Sequence, residues 1–186
     1  MKIIKMKKTI TTLALTGLLC IQCSTDTTFK ITDTAVGKLT KTTTLEELAT
    51  LYVNDSIVGD TEALAEGKMN GNVAIYEKGG ALLLTLSASD AESKTIKNIR
   101  VHDARFTTSD GVNTLSSFKD IREQYTIDKI VNSLNNVVVF VKDSGAYFTI
   151  SKEELPAELR YNTSIEIEAV QIPDAAAIKY MMISWE

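Results

Sequence analysis

The stretch TTLEELATLYVNDSIV, Thr43 to Val58, can be laid over SSFKDIREQYTIDKIV, Ser116 to Val131, at an offset of 73 residues. Leu45 then meets Phe118, Leu48 meets Ile121 and Tyr52 meets Tyr125, and the i, i+3, i+7 spacing puts each trio on one stripe of a helix. At the head of each stripe Thr44 with Glu47, and Ser117 with Asp120, stand three apart. There a hydroxyl caps orphan amides and an acid favours the positive helix end. Helices of about ten residues do not persist in water without tertiary packing, so each stripe needs a surface to dock on.

That surface follows in both halves. NVAIYEKGGALLLTL, Asn72 to Leu86, aligns with NVVVFVKDSGAYFTI, Asn136 to Ile150, at an offset of 64, matching Val73 with Val137, Tyr76 with Phe140 and Thr85 with Thr149. Gly79-Gly80 and Asp143-Ser144-Gly145 are turn residues between strand-like runs, so each stretch reads as a hairpin. A third strand is expected where Ile96, Ile99, Val101 and Asp103 align with Ile167, Val170, Ile172 and Asp174 at an offset of 71. The changing offsets mean loops of different length. Capped helix, hairpin and closing strand recur in one order, which predicts an α+β fold of two similar units, residues 29–107 and 108–186, each a short capped helix packed on antiparallel strands. The second half adds SKEELPAEL, Ser151 to Leu159, a helix capped by Ser151 with Glu154 and kept short by Pro156. The C-terminal IKYMMISW, Ile178 to Trp185, reads as a last strand with one face buried, although Tyr161, Tyr180, Met181, Met182 and Trp185 are also types enriched at interfaces. In outline the arrangement resembles the helix-plus-sheet modules of beta-lactamase-inhibitor-like and outer-membrane-assembly-type small lipoproteins. That resemblance implies a fold class and protein binding, and it carries no functional residue across.

The N-terminus has the layout of an export signal. Lys2, Lys5, Lys7 and Lys8 precede an uncharged run from Thr9 to Ser24 of about 16 residues, below the ~20 needed to span hydrocarbon. The run ends at Cys23, where a small polar stretch begins, and Cys20-Ile21-Gln22-Cys23 resembles the lipobox end of a bacterial lipoprotein precursor. Gln22 departs from the small residue usual before the cysteine, and Cys20 is a rival site. The resemblance implies a signal peptide over 1–22, lipidation of Cys23, a tether over 23–28 and a protein held to a membrane of the cell envelope, the outer membrane above all. Several acyl chains on one cysteine, at roughly 0.8 kcal/mol per buried methylene, anchor a protein stably. Loss of 1–22 also removes four lysines and no acid, which takes the net charge from −4 to −8. An acidic chain is a poor match for nucleic acid.

Few chemistries have their residues present. Both cysteines, Cys20 and Cys23, lie in the signal region and the single histidine is His102, so a thiolate or multi-histidine metal site is not expected. There is no G-x-S-x-G elbow, no phosphate loop and no calcium loop; Thr108 to Asn113 is too poor in acids. His102 beside Asp103 reads as a strand-end residue rather than half of a triad, and Glu46-Glu47 and Glu153-Glu154 sit where first helical turns are expected. No catalytic, cofactor-binding or metal-binding residue is expected. The function expected is binding of a protein or envelope component, with inhibition of an extracellular enzyme or carboxylate-dependent hydrolysis as alternatives.

Overall fold

Two hairpins and two short helices lie where the alignment places them, and they join in a way the alignment does not foretell. The computed structural model describes residues 26–69, 71–88 and 94–185. The expected signal segment, with Cys20 and Cys23, and the first residues of the expected tether lie outside the described residues.

The hairpins set the frame. Strand β5 (Val73–Tyr76) pairs with β6 (Leu82–Ser87) through Val73↔Leu86 and Ile75↔Leu84, and β10 (Asn136–Val141) pairs with β11 (Ala146–Ser151) through Val137↔Ile150 and Val139↔Phe148. These are equivalent registers at the sequence offset of 64. The turns use left-handed backbone where it costs least: Gly79 and Gly80 in the first, Asp143 in the second. Outside each hairpin lies a strand from the helix exit, β4 (Ser56–Val58) pairing Ile57↔Ile75 and β9 (Ile127–Asn132) pairing Ile130↔Val139.

The third strands differ from the sequence expectation. In the first half it is β7 (Asn98–Val101), as the alternation predicts. In the second half it is β12 (Ile178–Ser184), and residues 167–174, aligned with β7 by sequence, form no strand. Ala169–Gln171 is a 3-10 turn, Ile167 and Ile172 are buried, and Val170 is 82% exposed. Pro173 has no N–H for a ladder, so the segment anchors itself by isolated apolar side chains.

β7 and β12 pair with each other. Val101↔Met181, Arg100↔Met182, Ile99↔Ile183 and Asn98↔Ser184 close a single eight-stranded antiparallel sheet in the order β4-β5-β6-β7-β12-β11-β10-β9. One row of side chains crosses the whole sheet on its inner face: Ile57, Ile75, Leu84, Val101, Met181, Phe148, Val139 and Ile130. The six inner members are at most 2% exposed. At the end of this seam Gly145 accepts a hydrogen bond from the Ser184 amide, and a Cβ on Gly145 would sit 2.5 Å from the Ser184 carbonyl oxygen. Both free edges limit further pairing: β4 has three residues and β9 carries Asp128 and Lys129.

The helices cover the inner face. α3 (Phe118–Gln124) buries Phe118 and Ile121 and begins with the predicted box, the Ser117 amide donating to Asp120 Oδ2 at 2.7 Å. α1 (Leu48–Leu51) is shorter than expected. The Thr44 amide donates to Glu47 Oε2 at 2.8 Å, but residues 45–47 form a turn before helical backbone begins. The chain ahead of each helix is tied to the chain ahead of each third strand: Leu45 N to Lys94 O at 3.1 Å and Phe118 N to Ala176 O at 2.8 Å. α2 (Thr61–Ala65) is capped by Asp60, whose Oδ1 accepts from the Ala63 amide. The Ser151 helix divides at Pro156 into a 3-10 turn, Lys152–Glu154, and α4 (Ala157–Arg160), and Ser151 caps Glu153 N rather than closing a box with Glu154.

A small second sheet, β3-β2-β1-β8, closes one end of the core. It consists of β1 (Lys30–Ile31), β2 (Ala35–Val36), β3 (Leu39–Thr40) and β8 (Thr107–Thr108), with β1 and β8 parallel. Ile31, Val36, Leu39 and Phe106 join the same buried cluster as the large sheet. The fold is α+β with sheet dominant. No helix among the described residues is long and apolar enough to cross a membrane.

Removing a fully buried ring from the central row costs transfer energy and leaves a cavity. Phe148→Ala is expected to lower unfolding free energy by about 3–5 kcal/mol in urea titrations, while Val131→Ala on the exposed edge strand changes it by less than about 0.5 kcal/mol.

Candidate binding face

An antiparallel sheet can cover one face and leave the other to solvent. Here the off-phase positions of every strand lie on the open side, and the register makes them neighbours. Ala74, Thr85, Arg100, Met182, Tyr147, Phe140 and Lys129 form one row across it. Most of these side chains are half-buried by their neighbours, and Lys129 is exposed.

The row is held by aromatic and cationic contacts. The Arg100 guanidinium lies 3.6 Å from the centroid of the Tyr180 ring, and Phe140 stacks on Tyr147 with centroids 5.3 Å apart and planes 16° apart. Lys129 Nζ sits 4.7 Å from the Phe140 ring. The bulge between Thr149 and Ile150 shifts the register of β11 against β12 and brings Lys179 to this side, where it donates to Asn136 Oδ1 at 3.1 Å and lies 5.4 Å from the Tyr180 ring. The face thus presents Arg100, Lys129 and Lys179; the row from Ala74 to Lys129 holds no Asp or Glu, and Asp128 is the extra residue of the β9 bulge beside Lys129. Arg and Tyr are the side chains that dominate binding hot spots, and cations over rings expose a flat surface that favours negative charge.

His102 lies at the rim of this face, its Nε2 2.8 Å from Thr85 Oγ1. Burial of the ring lowers its pKa, and the Arg100 charge lowers it further. Asp103 is engaged elsewhere. Arg105 donates to both its oxygens, at 3.0 and 2.8 Å, and to both oxygens of Glu77, at 3.0 and 2.7 Å, which holds the Asp103 carboxyl below its ordinary range. The histidine and its neighbouring acid therefore do not form a relay. Asp174, matched with Asp103 by sequence, pairs instead with Arg122 at 2.8 Å. Among the described residues no three His, Cys, Asp or Glu side chains gather where they could hold a metal ion.

Of the C-terminal side chains singled out by sequence, Tyr180 and Met182 reach the open face, Met181 and Trp185 are buried, and Tyr161 is 89% exposed outside the large sheet. Arg100, Phe140, Tyr147 and Lys129 carry the face and were missed by sequence reasoning. Their signal is in the strands themselves, where the outward phase holds rings and an arginine.

No protein-family model and no curated protein matches this sequence. Among solved structures the chain is similar to the crystal structure of the uncharacterized protein yfeY from Escherichia coli, with TM-score 0.53 and 18% identity over 84% of this chain and 99% of that one. The likeness is one of fold.

A histidine whose charged form is disfavoured by folding costs stability on the acid side. Its penalty is absent above the unfolded value of about 6.5 and grows as pH falls through it toward the folded pKa. The urea midpoint should therefore fall between pH 7.5 and 5.5, and His102→Gln should flatten that slope; an unchanged slope would refute the assignment.

Proposed function

We propose that this chain is a lipid-anchored envelope protein that holds an acidic partner protein on the open face of its sheet. The observation that carries the reading is the composition of that face: three cations, Arg100, Lys129 and Lys179, set among the rings of Tyr180, Phe140 and Tyr147, with no carboxylate in the row from Ala74 to Lys129, in a chain where acids outnumber bases 24 to 20. On such a surface a partner's acidic patch meets a local excess of positive charge. Cys23 is the anchor in this reading, and the short segment after it leads into β1 at Lys30.

The same reading takes the chain as a duplication, one helix-plus-strands unit over 29–107 and another over 108–186. Its support is the order of the sheet, which runs inward from β4 to β7 and from β9 to β12, together with equivalent hairpin registers and equivalent ties ahead of each helix. A non-catalytic role is supported by the engagement of His102 with Thr85 and of Asp103 with Arg105.

The test is a photo-crosslinker placed at Tyr147 in cells. We expect capture of a defined envelope protein that is lost with Arg100→Glu and restored when acids on the captured protein are changed to lysine, from a chain whose intact mass is that of a triacylated polypeptide beginning at Cys23. Capture indifferent to Arg100→Glu, or equal from a crosslinker at the exposed Leu115, would rule out the open face.

A further inference from the structure

A polar cavity of about 840 Å³ lies apart from the open face's centre, where β9 turns into β10, β11 runs out and β12 begins. Lys152, Arg160 and Lys179 line it. None of the three has a carboxylate within ion-pair distance among the described residues, although the chain as a whole is acidic. Glu153 is the one acid in the lining; it is exposed and bridges none of them.

Lys152 is the telling member. The residue is 3% exposed, and the single hydrogen bond of its ammonium among the described residues is a long one, 3.5 Å to the Asn162 carbonyl. That carbonyl already accepts from Asn132 Nδ2 at 3.0 Å. A buried ammonium ordinarily has a counter-charge or several acceptors, because its lost hydration is otherwise uncompensated. Arg160 is prepared in a complementary way. Its Nε donates to the Leu155 carbonyl at 2.7 Å, which fixes the guanidinium while both terminal nitrogens keep no partner among the described residues. Lys179 is steadied by Asn136 Oδ1 at 3.1 Å.

Three cations around one cavity ask for more negative charge than a single carboxylate brings, and a phosphoryl group offers several acceptor oxygens in compact form. The cavity is larger than such a group and falls in the size range of small-molecule sites. Tyr161 and Leu134, 89% and 73% exposed, supply its rim with a ring and an aliphatic chain. We propose that this cavity binds a phosphate-bearing ligand, with Lys152, Arg160 and Lys179 on the phosphoryl oxygens and Tyr161 and Leu134 against the organic part. The inference does not rest on the open-face reading.

The test is calorimetric titration of the full chain at low ionic strength with pyrophosphate and, separately, with dihexanoylphosphatidylglycerol below its micelle concentration. Saturable one-to-one binding of at least one probe is expected, weakened tenfold or more by Arg160→Gln and unchanged by Arg100→Glu on the open face. Binding of pyrophosphate alone identifies a soluble phosphoester site, and binding of the lipid identifies a headgroup site. Lys152→Met should abolish binding; if that variant does not fold, Arg160→Gln and Lys179→Gln decide. Saturation by neither probe, or affinity indifferent to Arg160→Gln, would overturn the proposal.

Discussion

The antiparallel pairing of β7 with β12 turns two groups of four strands into one sheet, and the remaining structure is arranged around it. Val101 and Met181 face each other at its centre. From that pair the inner row runs outward through Leu84, Ile75 and Ile57 on one side and Phe148, Val139 and Ile130 on the other. Without the seam, β7 and β12 would each be an unpaired edge flanking an apolar surface, a combination that invites aggregation. With it, both edges are pushed out to β4 and β9, the partly polar strands that tolerate solvent.

Joining the halves also decides which surface is left over. α1, α3, the small sheet and Phe106 just ahead of β8 contribute Leu48, Phe118, Ile121, Leu39 and the Phe106 ring to one cluster on the inner side. The outward phase of the strands is thereby left as a broad surface, and its centre lies on the seam itself, where Arg100 of β7 stands opposite Met182 of β12 and against the ring of Tyr180. The proposed binding face is therefore a product of the pairing: neither half alone brings Arg100 and Tyr180 together. The cationic cavity is of a different kind, assembled within the second half by Lys152, Arg160 and Lys179 at the strand ends.

What could be read in the sequence was local. Hairpin turns at Gly79-Gly80 and Asp143-Gly145, the Ser117–Asp120 cap and the alternation of IKYMMIS are fixed by neighbours a few residues away, and the structure has them. The seam was not legible, because β7 and β12 are about 80 residues apart and no local pattern names a partner. The misplacement of the second closing strand has a physical cause as well. IEIEAVQI alternates as a strand should, yet period-2 alternation only records which side chains want burial, and Ile167 and Ile172 reach the core from irregular backbone. Helix α1 fell short because Thr50 and Val53 are β-branched and the turn at 45–47 takes up the predicted first turn. The open face escaped notice since its members, Arg100, Phe140, Tyr147 and Lys129, are scattered along the chain and meet only through the register.

If the β7–β12 pair makes the halves one cooperative body, native-state hydrogen exchange under increasing urea will report it directly. The account predicts that the protected amides of β5, β6, β10 and β11 merge into a single global isotherm, with those of β7 and β12 opening only along it. Exchange of one half at lower urea while the other stays protected, with β12 amides opening alongside the weaker half, would contradict it.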